Sequence, residues 1–232
     1  MTTNKTLGLV GGTSWVSTMD YYRLINEGVN ARLGGNQFAK CVIHSFNYAD
    51  IQALTFREDW AGVLDLVGAA ADNLVKSGAE GIVLCANTMH LIADGLAERL
   101  DVPIIHIVDA TAERVRAAGL SRVALLGTKY TMEKGFFKDR LGARGVSVMI
   151  PDEADREFIH GSIFGDLSSG IVRPEVKRRY LAIIAALAAR GAEGAILGCK
   201  EIPLMVKPED TSTPTFDTTA IHAEAAVSFA LA

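Results

Sequence analysis

An internal repeat constrains the fold of this chain more than any other sequence feature. Residues 76–87 read KSGAEGIVLCAN, and residues 189–200 read ARGAEGAILGCK. In both segments a glycine ends a helical pattern, an apolar run follows, and a loop of small residues comes next. The repeat predicts two similar lobes. A pseudo-twofold relation would bring their equivalent loops face to face, with a site between the lobes.

Apolar runs alternate with helical patterns along the whole chain, which is typical of parallel sheets covered by helices on both faces. The predicted fold is therefore α/β, with two Rossmann-like or flavodoxin-like lobes. Residues 1–117 form the first lobe and 118–211 the second, and the C-terminal segment 212–232 packs back on the first. Strands are predicted at 7–10, 41–45, 81–85, 102–106, 122–126, 145–150, 194–197 and 212–216. Helices are predicted through 21–25 and over 60–75, 156–167, 175–190 and 219–231.

Composition excludes several classes of protein. The net charge is −4 and no basic run is longer than Lys177–Arg179, so no nucleic-acid partner is expected. No stretch approaches the ~18 apolar residues of a membrane span, and the N-terminus lacks a secretory pattern. The three cysteines are widely spaced, without metal-ligand spacing. Reduced thiols in a cytoplasmic protein without a metal are the expectation.

Polar residues follow several predicted strands, where ligands gather in open α/β sheets. The loop 8–15 contains Gly12, Thr13 and Ser14 but matches neither a dinucleotide nor a phosphate-binding loop. Its amides at a helix N-terminus favour a substrate carboxylate. Alternatively, it is a tight turn in which Ser14 or Ser17 caps the helix.

Three other loops carry candidate groups. Asn87 and Thr88 can hold a carboxylate and an ammonium group. Alternatively, Asn87 or Thr88 caps the next helix, and Cys85 is a packed thiol of the core. Thr128 and Thr131 can bind substrate or close a turn. His222, after the capping residue Asp217, can reach the cleft or lie in the core. Cys199 follows a strand and precedes Lys200. A nearby helix N-terminus and this cation are expected to lower the thiol pKa from about 8.5, giving a base or a nucleophile.

The motifs GGTSW, YYRLINEG, LCANTMH, LLGTKYTM, GCKEIP and FDTTAIHAE occur in this order over nearly the whole chain. Together they resemble the aspartate/glutamate racemase family. The resemblance implies no pyridoxal phosphate (PLP) or other cofactor, a homodimer, and one cysteine from each lobe on opposite faces of the substrate Cα. It also implies that Asn87, Thr88, Thr128 and Thr131 hold the α-carboxylate and the amine.

The chain departs from the family pattern at its first thiol. Ala86 occupies the position that directly precedes Asn-Thr, and Cys85 lies one residue earlier. Alignment of the two repeat segments pairs Ala86 with Cys199 and Cys85 with Gly198. Adjacent strand residues point to opposite faces, so we expect Cys85 to face the sheet packing.

Two further departures concern charge. Lys200 replaces the threonine of the Gly-Cys-Thr-Glu motif, where it can activate Cys199, bind a carboxylate or fill the site. Arg57, near Thr55, is the available cation for a side-chain carboxylate, because 158–170 contains no lysine or arginine. Glu201 and Ala86 complete the candidate substrate-binding set.

The predicted function is that of a PLP-independent racemase for a small acidic amino acid, with Cys199 as the principal acid/base. A one-cysteine lyase or isomerase, decarboxylase-like and acting on a small dicarboxylate, is the enzyme alternative. A binding homologue that kept the cleft and lost turnover is the other, and Ala86 favours both alternatives.

Overall fold

The computed structural model describes residues 4–232, which form two compact units. The first contains the residues up to His106 together with His222–Ala232, and the second is Ile107–Ile221. Each unit has one sheet of four parallel strands with flanking helices. The predicted α/β class with two similar lobes is confirmed.

The first unit is built on the strand order β2-β1-β3-β4. Its strands are β1 (Leu7–Gly11), β2 (Cys41–Ser45), β3 (Gly81–Leu84) and β4 (Ile104–Ile105). Its helices are α1 (Trp15–Leu33), α2 (Tyr48–Thr55), α3 (Trp60–Lys76) and α4 (Ala93–Ala97), with a 3₁₀ turn at Thr88–Ile92.

The two faces of β3 enter different cores of the first unit. Ile82 and Leu84 pack in a cluster with residues of α3 such as Val67. Val83 and the following Cys85 pack in the other cluster, among residues of α1 and the C-terminal helix. This is the alternation of an extended strand buried on both sides.

The second unit repeats the topology with the order β6-β5-β7-β8. Its strands are β5 (Arg122–Leu126), β6 (Ser147–Met149), β7 (Gly194–Leu197) and β8 (Thr215–Asp217). Its helices are α5 (Ile107–Ala117), α6 (Lys129–Glu133), α7 (Gly135–Ala143), α8 (Glu153–Phe164), α9 (Pro174–Ala189) and α10 (Ile202–Met205). Short 3₁₀ segments lie at Leu167–Ser169 and Pro208–Asp210. The last helix, α11 (Thr218–Ala230), starts in this unit and belongs to the first from His222 onward.

The sequence repeat corresponds to the same local structure in both units. Gly78 and Gly191 follow α3 and α9 with φ of +94° and +103°, a left-handed conformation that favours glycine. The side chains of Glu80 and Glu193 then accept backbone N–H bonds at the start of the neighbouring strand, at 2.8 Å from Thr6 N and from Ser121 N respectively. The shared Gly-Ala-Glu-Gly pattern therefore ends a helix and fixes the entry of the next strand.

The division along the chain differs from the predicted boundary at 117/118. The structure divides after His106, because α5 lies with the second unit, where Arg140 on α7 pairs with Asp109 on α5 at 2.8 Å. The C-terminal segment is also shared differently. The strand β8 pairs with β7 in the second sheet, and only the helix from His222 packs in the first unit, through Val227 and its neighbours.

Several predicted elements have different limits, and the helices α2, α6 and α7 were missed. The strands predicted at 102–106, 145–150 and 212–216 are shorter, at Ile104–Ile105, Ser147–Met149 and Thr215–Asp217. Proline at 103 and 214 lacks the N–H that a strand interior donates. The helix predicted from 156 begins at Glu153, because the Asp152 side chain caps it. No helix between residues 4 and 232 has the length and apolar character to span a membrane.

Candidate functional site

The loops after β5 and β7 lie side by side in the second unit, because these strands are hydrogen-bonded neighbours. The N–H of Gly198 donates to Leu126 O at 2.7 Å. A Cβ on Gly198 would lie 3.0 Å from that oxygen and 3.1 Å from Thr131 Cγ2. Glycine therefore lets the loop of Cys199 approach the loop of Thr128 and Thr131.

Cys199 donates its thiol hydrogen to a nearly buried carboxylate. Its Sγ lies 2.8 Å from Glu201 Oε2. The other oxygen, Oε1, lies 3.3 Å from Lys200 Nζ, and the Lys200 and Glu201 side chains are only 11% and 10% exposed. The Glu201 carboxylate thus bridges the thiol and the ammonium group. Lys200, which was expected to activate the thiol, bind a carboxylate or fill the site, is paired with Glu201.

The surroundings raise the pKa of the Cys199 thiol well above its ordinary value, so the prediction of a lowered pKa was wrong. Burial is the largest cause, followed by the charge and hydrogen bond of Glu201, and the nearby charge of Lys200 only partly opposes them. The next helix, α10, begins three residues later and has four residues. Cys199 therefore rests as a thiol at neutral pH.

Thr128 and Thr131 are buried and engaged with each other. The Thr128 hydroxyl caps α6 by accepting from Thr131 N at 3.4 Å, and the two hydroxyl oxygens lie 3.3 Å apart. The structure thus shows the turn-closing role of Thr128 beside the Cys199 loop.

Sequence reasoning missed Tyr180, a fully buried residue of α9. Its hydroxyl pairs with Ser162 Oγ at 2.8 Å. Burial raises the tyrosine pKa, and the nearby charge of Glu201 contributes in the same direction. Tyr180 therefore stays neutral behind the Cys199 loop. Nothing in an apolar helical pattern distinguishes it from an ordinary core residue.

In the first unit, the loop after β1 is folded tightly. Gly12 has φ of +82°, and a Cβ there would collide with the backbone of Phe46. Ser14 caps α1 by accepting from Ser17 N at 3.3 Å, as one of the two alternatives predicted. Thr13 is about nine-tenths buried, and its Oγ1 has no hydrogen-bond partner within residues 4–232. A buried hydroxyl of this kind normally has a partner, so Thr13 is a candidate ligand contact.

The loop after β3 carries the counterpart of the Cys199 loop. Cys85 N donates to Val10 O at 3.0 Å, just as Gly198 N donates to Leu126 O. Cys85 therefore corresponds to Gly198, and Ala86 corresponds to Cys199. The Cys85 side chain is fully buried and burial raises its pKa, whereas Ala86 packs toward the opposite core of the sheet.

The remaining first-unit candidates differ in exposure. Asn87 is 9% exposed, precedes the 3₁₀ turn that Thr88 begins, and does not cap it with its side chain. Thr55 ends α2, with its hydroxyl donating to Gln52 O at 3.2 Å. Arg57 is exposed in the following turn and forms no ion pair with another residue of 4–232.

His222 lies in a buried cluster of the first unit rather than on a surface. Its Nε2 is 2.6 Å from Ile105 O, so this nitrogen carries the hydrogen, and Nδ1 accepts from the Tyr21 hydroxyl at 2.8 Å. The ring of His90 lies 5.2 Å from that of His222 and 4.7 Å from that of His106. Burial lowers the pKa of His222 to about 4. This geometry supports the core alternative for His222.

A sequence model of the family described as Asp/Glu/Hydantoin racemase matches residues 10–226. The chain belongs to the Asp/Glu/Hydantoin racemase family. Two solved structures agree with this assignment over nearly the whole chain. A provisionally assigned Asp/Glu racemase from Yersinia pestis is 44% identical, covers 98% of this chain and 100% of its own, and superposes with a TM-score of 0.95. An aspartate racemase homologue from Pyrococcus horikoshii is 33% identical, covers 97% and 99%, and has a TM-score of 0.86.

More distant family members share less of the sequence. The glutamate racemase of Deinococcus radiodurans is 27% identical over 146 residues, which cover 62% of this chain and 49% of that protein. The chain thus matches about half the length of that curated relative. Membership in the Asp/Glu/Hydantoin racemase family indicates a racemase-like protein, without distinguishing aspartate from glutamate.

Proposed function

We propose that this member of the family is a PLP-independent racemase for aspartate or glutamate, with Cys199 as the acid/base at Cα. The observation that carries the proposal is the Cys199 thiol at the carboxyl end of β7, hydrogen-bonded at 2.8 Å to the mostly buried Glu201 carboxylate. A thiol paired with a carboxylate can lose its proton without any change in the net charge of the site.

The chemistry follows from this pair. The proton of Cys199 Sγ moves to Glu201 Oε2, which leaves a thiolate and a carboxylic acid. The thiolate then takes the α-proton of the amino acid, and the electron pair of the C–H bond remains on the substrate as an enolate-like carbanion. Return of a proton to the same face regenerates the starting enantiomer, whereas delivery to the far face inverts Cα.

The first unit has no thiol at the position equivalent to Cys199. Its counterpart of Cys199 is Ala86, which has no proton to give. Loss of one proton-transfer group typically costs about 10²–10⁴-fold. We therefore propose slow inversion with water as the second donor, and exchange of the α-proton that is faster than inversion.

Several side chains are proposed to bind the substrate. Thr13 offers a buried hydroxyl with no partner among the described residues, and Asn87 and Thr88 offer short polar groups at the end of β3. Arg57 is the cation proposed for the side-chain carboxylate. If Asn87 contributes, Asn87→Ala should raise KM for α-proton exchange more than it lowers kcat.

Exchange of the α-proton in D₂O tests the proposal. L- and D-aspartate and L- and D-glutamate are followed by NMR with the wild type, Cys199→Ala and Cys85→Ala, and circular dichroism checks that the variants fold. We expect exchange to be lost in Cys199→Ala and kept in Cys85→Ala, because Cys85 is buried in the core. Exchange that survives in Cys199→Ala, or no exchange with any of the four substrates, would refute acidic amino-acid racemisation by Cys199.

The same Ala86 favours a second candidate function, because a lyase needs one thiol only. In a decarboxylase-like reaction a small dicarboxylate loses carbon dioxide, and the Cys199 thiol protonates the carbanion that remains. Release of carbon dioxide from substituted malonates, without exchange at the Cα of amino acids, would favour this lyase. Amino-acid binding in calorimetry without either reaction would favour a binding homologue.

A further inference from the structure

We propose that Lys200 is a positioning residue, which orients the Glu201 carboxylate so that its second oxygen accepts the Cys199 thiol hydrogen. This role deepens the proposed function and rests on it only for its effect on turnover. Its effect on the thiol itself can be measured without any substrate.

The contacts of Glu201 carry this inference. Oε1 lies 3.3 Å from Lys200 Nζ, while Oε2 lies 2.8 Å from Cys199 Sγ, so each oxygen has a different partner. A nearly buried carboxylate is costly unless it is paired, and the ammonium group of Lys200 supplies that pairing. The cation thus acts on the thiol through the carboxylate between them as well as through its own charge.

The same geometry argues against Lys200 as a primary ligand of the substrate. Its ammonium group is engaged with Glu201, and its side chain is only 11% exposed. A substrate carboxylate would have to compete with Glu201 for this cation and would leave Glu201 unpaired. Lys200 therefore neutralises an internal carboxylate, and the cation for the substrate has to come from another residue.

Two titratable groups face the Cys199–Glu201 pair within the second unit. Lys200 is the cation, Tyr180 on α9 is a buried neutral phenol, and each member of the pair faces the other. If Lys200 is made neutral, the negative charge of Glu201 is uncompensated. When the thiol loses its proton to solvent rather than to Glu201, a second negative charge on Cys199 should then form less readily, and this thiolate formation should move to higher pH.

Alkylation by iodoacetamide measures thiolate formation directly. The rate at Cys199, which is partly exposed, is followed from pH 6 to 10 by mass spectrometry of its peptide, which separates it from the peptides of Cys41 and Cys85. The variants are Lys200→Met and the charge-conserving Lys200→Arg. Lys177→Met is the matched control, because Lys177 pairs with Asp210 at 2.7 Å in the same unit, away from the thiol.

We expect Lys200→Met to slow alkylation about tenfold at a given pH below the thiol pKa. The alkylation rate of Lys200→Arg should remain within about threefold of the wild-type rate. Lys177→Met should react at the wild-type rate. In a Glu201→Gln background the Lys200→Met effect should shrink to about threefold or less, since the carboxylate that transmits it is gone.

The outcomes separate this inference from the proposed function. A shifted alkylation profile with no α-proton exchange in any protein would retain the role of Lys200 and reject racemisation. An unchanged alkylation profile in Lys200→Met, with KM raised at every pH, would overturn the positioning role and assign Lys200 to substrate binding. An effect that persists undiminished in the Glu201→Gln background would also overturn it, since Lys200 would then act on Cys199 directly.

Discussion

Protonation of His222 should destabilise the first unit as the pH falls. Above pH 6.5 this histidine is neutral in both the folded and the unfolded chain, so its contribution to stability is fully present. Burial lowers its folded-state pKa to about 4. Between these two values the unfolded chain binds a proton that the folded chain does not, and stability falls by about 1.4 kcal/mol per pH unit.

The size of the effect follows from the two pKa values. At pH 5 the unfolded histidine is almost fully protonated and the folded one is about one-tenth protonated, which costs about 2 kcal/mol relative to pH 7. For an m value of about 1.5 kcal/mol/M in urea, the midpoint should fall by more than about 1 M. Most carboxylates titrate below this range, so pH 5 isolates the histidines.

Urea unfolding at pH 7 and pH 5 can measure this in the first unit alone. Both tryptophans of the sequence, Trp15 and Trp60, lie in that unit, so their fluorescence reports its unfolding. His222→Gln is the comparison, because a glutamine can accept from the Tyr21 hydroxyl and donate to Ile105 O without titrating. His90 and His106 are present in both proteins, so the difference belongs to His222.

We expect the wild type to lose about 2 kcal/mol more than His222→Gln between pH 7 and pH 5. Equal losses in the two proteins would refute the reasoning, because His222 would then have the same pKa in the folded and unfolded states. In both proteins, stability could instead fall in unfolding followed by far-ultraviolet circular dichroism but not in unfolding followed by tryptophan fluorescence. That result would place the acid-sensitive groups in the second unit.

Three further predictions concern the repeat, the close packing and the assembly. Ala86→Cys restores a thiol at the position equivalent to Cys199. Racemisation followed by polarimetry should rise about 10²–10⁴-fold, with little change in α-proton exchange that retains configuration. If racemisation does not rise, the two positions are not functionally equivalent. Gly81→Ala places a Cβ 2.5 Å from Phe229 Cε1 and should destabilise the first unit by about 1–3 kcal/mol in urea unfolding. Gly142→Ala is the control. A Cβ there meets nothing within 4 Å, so its effect on stability should be neutral or stabilising. Sedimentation velocity should show a homodimer, as the family resemblance implies, and a single monomer boundary at micromolar concentration would contradict it.

The sequence was sufficient to predict the α/β class, the two similar lobes and most of the strands. These properties depend on local signals, which are apolar runs, helical spacing and the glycine that ends a helix. The equivalence of Ala86 and Cys199 also followed from the repeat. Sequence alone is enough here because side chains alternate along a strand, so the register decides which face of the sheet each side chain points to.

Tertiary structure alone decided the limits of the units and the electrostatics at Cys199. The helix α5 belongs to the second unit because Asp109 pairs with Arg140, a partner 31 positions away. The sequence places Lys200 beside Cys199, and neighbourhood along the chain predicts a lowered thiol pKa. In the folded protein burial is the largest cause of the raised thiol pKa. The Glu201 carboxylate, which turns to the thiol and takes up Lys200 as its own partner, raises that pKa further. Which charges face each other, and how far water is excluded from them, depends on side-chain conformations and on packing between distant segments, which no local pattern records.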